Sequence, residues 1–200
     1  MPAELEIDTF AGNAGVGLVP FKVAGLTLPK APPLPWLSNF PETNLRTYVI
    51  DQRGRRGVWF FSLDAARLAA VACARIAYAL PYYWAKMELS SDHHRASYRS
   101  VRRVSPKAST DIEVKIGEHI AEQNDLELFL TARFRLFARR NSHLISADVE
   151  HKQWPLHRAS LSRIEETLTR AAGLPEPRGE PLVHFSKAID VLVSRPIPLD

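Results

Sequence analysis

The sequence has little of what several protein classes require. Its single cysteine, Cys73, excludes an internal disulfide. No run of about eighteen apolar residues is present for a membrane-spanning helix, and the acidic start of the chain does not fit a signal peptide. We therefore expect a soluble, cytoplasmic protein with no membrane partner. Because Cys73 lies among alanines, we expect a buried and unreactive thiol.

The common catalytic and cofactor motifs are also absent. The chain contains no G-x-S-x-G elbow, no Walker loop, no H-E-x-x-H and no paired cysteines. Gly12, Gly15 and Gly17 occur in the order G-x-x-G-x-G, which is not the dinucleotide fingerprint, and they are more typical of a turn. The seven histidines are scattered along the chain. We predict no metal site and no cofactor.

The charge balance is basic, with a formal net charge of +4 and a pI near 9.4. Such a balance favours phosphate partners only where Lys and Arg are clustered. The two basic stretches, residues 53–56 and 95–107, match no nucleic-acid-reading motif. We interpret them as a solvated turn and solvated strand edges, and we expect no nucleic-acid partner.

Alternating apolar residues dominate the chain and predict a mainly β protein. The clearest pattern is a hairpin of residues 46–51 and 58–63, with Gly54 and Gly57 in the turn between them. Further strand-like runs occupy residues 16–23, 82–89, 97–104, 111–116, 132–140, 143–150, 182–186 and 189–193. Because strands follow one another with short connections, the pattern favours a single α+β domain over residues 1–200, built on a mixed or antiparallel β-barrel.

About two helices accompany these strands. Asp64 is expected to cap a helix over residues 65–80, which Pro81 ends. Ser162 and Glu165 form a possible capping box for a second helix, closed by Gly173. Residues 125–130 predict a short helical turn, and the proline-rich residues 27–40 an ordered loop.

Several charged or phenolic residues lie in apolar surroundings near the predicted helix-to-strand corner at Pro81. If the barrel closes, they would meet at one cavity and bind a small ligand. The candidate ligand-binding residues are Glu42, Arg46, Arg75, Tyr82, Tyr83, Lys86 and Tyr98. The alternative is structural: Glu42 and Arg46 would form an ion pair, and the tyrosines would be core aromatics.

Several segments resemble the YqjF-like family of bacterial proteins. They are VGLVPF (16–21), FPETNLRTYV (40–49), GVWFFSLDA (57–65), ARIAYALPYYWAKM (74–87), YRSVR (98–102), LELFLTARFRLF (126–137) and HKQWPL (151–156). The resemblance covers nearly the whole chain. It implies a relation to acetoacetate decarboxylase, whose fold is a closed mixed β-barrel with flanking helices.

The resemblance also shows a departure in the catalytic motif. Acetoacetate decarboxylase has a P-K-K segment, in which one lysine forms a Schiff base and the other lowers its pKa. The matching positions here are Pro81, Tyr82 and Tyr83. Tyrosine cannot form an iminium, and Lys86 is expected on the opposite strand face from Tyr83. We therefore predict that Schiff-base decarboxylation is absent.

The expected function is the handling of a small metabolite, such as one that bears a carboxylate, on a decarboxylase-like barrel. The alternative is a non-catalytic small-ligand-binding barrel. Family members are expected to carry a further segment before residues 5–10. Without that segment the barrel would be more open, or completed by a neighbouring chain in a homo-oligomer.

Overall fold

The computed structural model describes residues 1–24 and 39–199, and its main feature is one sheet of thirteen strands. The strands of this sheet are β1 Leu5–Ile7, β4 Val16–Val23, β5 Phe40–Asp51, β6 Arg56–Ala65, β7 Tyr82–Ser91, β8 Arg95–Arg102, β9 Ser109–His119, β10 Arg135–Arg140, β11 His143–His151, β12 Leu156–Glu166, β13 His184–Ser186, β14 Val191–Val193 and β15 Ile197–Pro198. Strands β2 Thr9–Phe10 and β3 Asn13–Ala14 form a separate pair. The helices of the described part are α1 Leu68–Tyr78, α2 Asp125–Thr131 and α3 Leu168–Ala171. The predicted mainly β fold is confirmed.

Strand β6 is the branch point of the sheet. It pairs with β5 along one edge, in the predicted hairpin. Along its other edge it pairs in parallel with β7 near Leu63 and with β10 near Val58. One arm continues as β7-β8-β9-β12-β13, and the other as β10-β11-β14. Strand β6 thus places β5 and β7, which carry the candidate site, one strand apart.

The sheet of the described residues is not closed into a barrel. Its hydrogen-bonded order ends at β4 on one side and at β13 on the other. The sheet is nevertheless strongly curved. A contact between distant strands shows the curvature: Leu18 of β4 packs against the cluster of Ala96, Ile112 and Val114 on β8 and β9. The curvature leaves a concave interior between the arms.

Helix α1 provides the crossover between the parallel strands β6 and β7. The helix begins at Leu68, because residues 64 and 65 still pair with β5. Ala70 and Val71 pack with Phe40 and Ala65, and Ala79 ends the helix in the left-handed conformation with φ 54°. Asp64 therefore does not cap the helix. Its buried carboxylate is instead paired with Arg102.

The predicted helix beginning near Ser162 is wrong. Residues 156–166 form strand β12, which pairs antiparallel with β9, and Ile164 lies opposite Ile112. Only the four residues of α3 are helical. The non-local ladder with β9 satisfies many more backbone groups than a capping box could, and it overrides the local signal. Gly173 does take the positive φ of a helix-ending turn, at +72°.

The expected burial of Cys73 is also wrong, because its side chain is exposed on α1. Ala70 and Val71 are the buried residues of this helix. Alanines on every side of the helix leave the sequence without a clear apolar face. The loop predicted over residues 27–40 lies outside the described residues, apart from Asn39 and Phe40, and Phe40 begins β5.

Candidate functional site

The concave interior of the sheet is a large cavity of about 2860 Å³. Small-molecule pockets are usually about 300–1,000 Å³, so the cavity as a whole does not define a ligand. Its polar lining is more informative. Glu42, Asn44, Arg46, Tyr82 and Tyr98 all contribute to the wall.

Glu42 and Tyr82 form the most distinctive polar contact of this wall. The Tyr82 hydroxyl donates to Oε2 of Glu42 at 3.1 Å. Glu42 lies opposite Ala65 on β6, and Tyr82 lies opposite Leu63 on the other edge of β6, so the two side chains meet across that strand. Glu42 is only 5% exposed. The pair is therefore held in the sheet itself rather than on a loop.

Burial raises the pKa of Glu42 to about 8, from an ordinary value of 4.5. The hydrogen bond from Tyr82 lowers this pKa, but the nearby Asp64 raises it further. Burial and the Glu42 carboxyl together raise the pKa of Tyr82 well above 10. At neutral pH Glu42 is thus mostly protonated, and the pair offers a proton donor to the cavity.

A second buried polar cluster contains Asp64 of β6, Tyr83 of β7 and Arg102 of β8. The Arg102 Nε donates to both carboxylate oxygens of Asp64, at 2.8 and 3.0 Å, and the Arg102 guanidinium lies 4.0 Å from the centre of the Tyr83 ring. Burial raises the pKa of Asp64 to about 6 although Arg102 opposes the shift. Tyr83 is not part of the cavity wall. Its ring lies over this ion pair instead.

Arg46 lies farther along β5, beside aromatic rings. Its guanidinium is 5.8 Å from the Tyr48 ring and 5.9 Å from the Trp154 ring. Its Nη2 makes a long contact of 3.5 Å with the carbonyl oxygen of Leu130. Among the described residues, Arg46 and Glu42 form no ion pair with each other.

Two further candidates from the sequence lie away from the cavity wall. Arg75 is exposed on α1, and Lys86 is exposed on β7, where its Nζ is 3.5 Å from Glu88. The helix presents Cys73 and Ala74 to the cavity instead of Arg75. Of the seven predicted residues, Arg75, Tyr83 and Lys86 do not line this cavity. Tyr98 does line the cavity, and burial raises its pKa.

Every lysine in the described part of the chain is exposed. These residues are Lys22, Lys86, Lys107, Lys115, Lys152 and Lys187. A Schiff-base lysine needs burial or a neighbouring cation to lower its pKa. None of these six lysines is buried.

The described residues contain no group of three or more His, Cys, Asp or Glu side chains arranged to hold a metal ion. Among residues 1–24 and 39–199, no helix is long and apolar enough to cross a membrane.

Asn44, Arg133 and Trp154 are among the cavity residues that are not predicted from the sequence. Asn44 lies between Glu42 and Arg46 at the period-two spacing of a strand, and this alternation could have revealed it. Arg133 and Trp154 reach the cavity from the ends of α2 and β11. No local pattern marks them, because their position depends on pairing between distant segments.

Nearly the whole chain matches one protein family. The family of uncharacterized conserved proteins called DUF2071 matches residues 1–190. The chain belongs to the DUF2071 family. Uncharacterized protein YqjF of Bacillus subtilis is 35% identical over 194 residues, which cover 96% of this chain and 80% of that protein. The YqjF-like resemblance of the sequence is confirmed.

Solved structures resembling this DUF2071 protein are of the acetoacetate decarboxylase type. Acetoacetate decarboxylase from Legionella pneumophila matches with a TM-score of 0.62 at 14% identity, covering all of this chain and 78% of that one. An acetoacetate decarboxylase-like enzyme from Sphingomonas wittichii RW1 matches with a TM-score of 0.59 at 12% identity, covering 100% and 84%. The enduracididine biosynthesis enzyme MppR matches with a TM-score of 0.57 at 11% identity, covering 100% and 79%. At these identities the similarity establishes the fold alone.

Proposed function

We propose that this DUF2071 protein handles a small, carboxylate-bearing metabolite at the Glu42–Tyr82 pair, without a lysine Schiff base. One observation carries the proposal: a buried carboxyl with a pKa of about 8 is hydrogen-bonded to a phenol in the cavity wall. Perturbed carboxyl groups in clefts are frequent at catalytic sites, where they act as acids or bases near neutral pH.

The two ends of the proposed site have different chemistry. Protonated Glu42 donates a proton to a ligand carbonyl or leaving group, and Tyr82 stabilises the carboxylate that remains. Arg46 supplies the positive charge that holds the ligand's carboxylate. Four residues along a strand separate the Cα atoms of Glu42 and Arg46 by about 13 Å. This distance leaves room for a small metabolite between the two side chains.

The exposed lysines support the proposed absence of Schiff-base chemistry. An exposed lysine lacks the burial that activates a Schiff-base lysine as a nucleophile. The decarboxylase-like neighbours share the fold, but their low identity carries no catalytic residue over to this chain. The proposal therefore gives the role of acid to Glu42 rather than transferring a lysine mechanism.

The aromatic wall favours a second candidate, which is a barrel-like binding protein with no chemistry. The Phe129 ring lies 5.5 Å from Phe10 and 5.4 Å from Tyr48, which provides an apolar surface for a ligand. Under this alternative, Glu42 and Tyr82 only orient the ligand. In both cases we propose a single domain that acts in the cytoplasm, alone or as a homo-oligomer.

A metabolite screen by thermal shift tests the proposed site. The wild-type protein is compared with Arg46→Ala, with Glu42→Gln, and with Arg75→Ala as a matched control on the exposed face of α1. We expect at least one small carboxylate to raise the melting temperature of wild type and Arg75→Ala, and to do so much less for Arg46→Ala. Equal shifts in all four proteins would rule out this site.

The binding and enzymatic alternatives are separated by following the ligand itself. The identified metabolite is incubated with wild-type protein and with Glu42→Gln, and its conversion is followed by mass spectrometry. Conversion by wild type with at least a hundredfold loss in Glu42→Gln supports general acid catalysis, whose contribution is typically about 10²–10⁴-fold. Binding without conversion supports the non-catalytic alternative.

A further inference from the structure

Three N–H groups in one part of the cavity wall have no hydrogen-bond partner. They are Nε of Arg46, Nη2 of Arg133 and Nε1 of Trp154, each inaccessible and unpaired among the described residues. All three side chains line the cavity. Arg133 is almost fully buried, with 3% of its side chain exposed. Buried donors normally find an acceptor, so three unpaired donors in one wall point to a ligand that supplies one.

Both arginines of this set lie beside the Tyr48 ring. The guanidinium carbon of Arg133 is 5.0 Å from the centre of the Tyr48 ring, and that of Arg46 is 5.8 Å from the same centre. Trp154 adjoins Arg46 at 5.9 Å. Two cations thus contact one buried aromatic ring, although they come from β5 and from the segment after α2.

The local charge favours an anion. Asp8 accepts from Arg133 at 2.6 Å and from Arg56 at 2.8 Å, so one carboxylate serves two guanidinium groups. Arg46 has only the carbonyl oxygen of Leu130 as a partner. Glu127 on α2 is already engaged by the imidazole of His184 and by the backbone N–H of Asn124. The arginines therefore outnumber the acidic groups available to pair with them.

We propose that Arg46, Arg133 and Trp154 form one clamp that binds the carboxylate of the ligand. A planar carboxylate has two oxygens and about four lone-pair directions, which can accept from all three donors at once. The inference rests on the proposed function and extends it, because it assigns Arg133 and Trp154 to recognition of the acid group. Glu42 and Tyr82 then face the rest of the ligand.

Proton–nitrogen NMR observes the clamp directly. The full-length ¹⁵N-labelled protein is titrated with propionate and benzoate, with their uncharged amides, and with inorganic phosphate. The indole signal of Trp154 is assigned by its loss in Trp154→Phe, a change that keeps the ring apolar and removes only the N–H. We expect the carboxylates, but not the amides or phosphate, to shift the Trp154 and Arg46 N–H signals.

Affinity measurements on variants complete the test. Arg46→Gln and Trp154→Phe are expected to weaken carboxylate binding at least tenfold and threefold, respectively. Arg135→Gln is the matched control, because Arg135 pairs with Asp148 outside the cavity wall and its loss should leave binding unchanged. Retained folding of each variant is verified by its NMR spectrum.

The outcomes separate this inference from the proposed function. Carboxylate-induced shifts near Tyr82 with unmoved Trp154 and Arg46 signals would overturn the clamp and leave the proposed function standing. Equal responses to carboxylates and amides, or a response to phosphate alone, would also overturn it. The absence of any response to the carboxylates would overturn both proposals.

Discussion

Replacing Glu42 by glutamine should remove a large pH dependence from the folding stability. The folded-state pKa of about 8 lies above the ordinary value of 4.5. Between these two values the folded state binds more protons at Glu42 than the unfolded state does. The free energy of unfolding must therefore fall as pH rises through this window.

The size of the effect follows from the two pKa values. One pKa unit corresponds to about 1.4 kcal/mol. Over the three pH units from 5 to 8, the wild-type protein should lose about 3.5 kcal/mol of stability through Glu42. Glutamine keeps the shape and an acceptor for the Tyr82 hydroxyl but does not titrate, so Glu42→Gln should not show this loss.

Urea unfolding at pH 5, 6, 7 and 8 measures the difference between the two proteins at each pH. Constant offsets from the substitution cancel in the change with pH. We expect the free energy of unfolding of the wild-type protein to fall steadily relative to that of Glu42→Gln as the pH rises. A difference that stays flat within about 0.5 kcal/mol would refute a neutral Glu42 in the cavity wall.

Further predictions concern the neighbouring strand, the buried ion pair and the exposed thiol. Tyr82→Phe should raise the pKa of Glu42 further, because it removes a hydrogen bond that lowers this pKa; a ¹³C NMR titration showing an unchanged or lower midpoint would contradict this. Arg102→Met should cost about 3–5 kcal/mol in guanidinium unfolding, because Asp64 would remain buried without its partner. A loss below about 1 kcal/mol would show that Asp64 is solvated or protonated without penalty. Cys73 should react with a thiol reagent in the native protein, and a reaction that requires denaturant would contradict its exposure.

Part of the cavity wall could be predicted from local features of the sequence. Glu42, Arg46 and Tyr82 are charged or phenolic residues in apolar surroundings near the predicted corner at Pro81, and the structure places all three in the cavity wall. The mainly β fold followed from the alternating apolar residues. These predictions depend on residues that are close in sequence.

The incorrect predictions involve contacts between distant segments. Residues 162–166 carry a local capping signal, yet their pairing with β9 about fifty residues away makes them a strand. Arg75 was expected in the cavity because alanines on all sides of α1 conceal which face is buried. Arg133 was not identified because it meets Tyr48 only after α2 docks against β5. Long-range packing decides all three cases.

Borohydride trapping with acetoacetate tests most directly whether this decarboxylase-like fold works without a lysine nucleophile. The intact mass of the full-length protein is measured after reduction, beside a known acetoacetate decarboxylase as a positive control. We predict an adduct on the control and none on this protein, because its six described lysines are exposed and Tyr82 bonds Glu42 in the cavity wall. A stable adduct, mapped by peptide mass to Lys86 or any other lysine, would contradict the account.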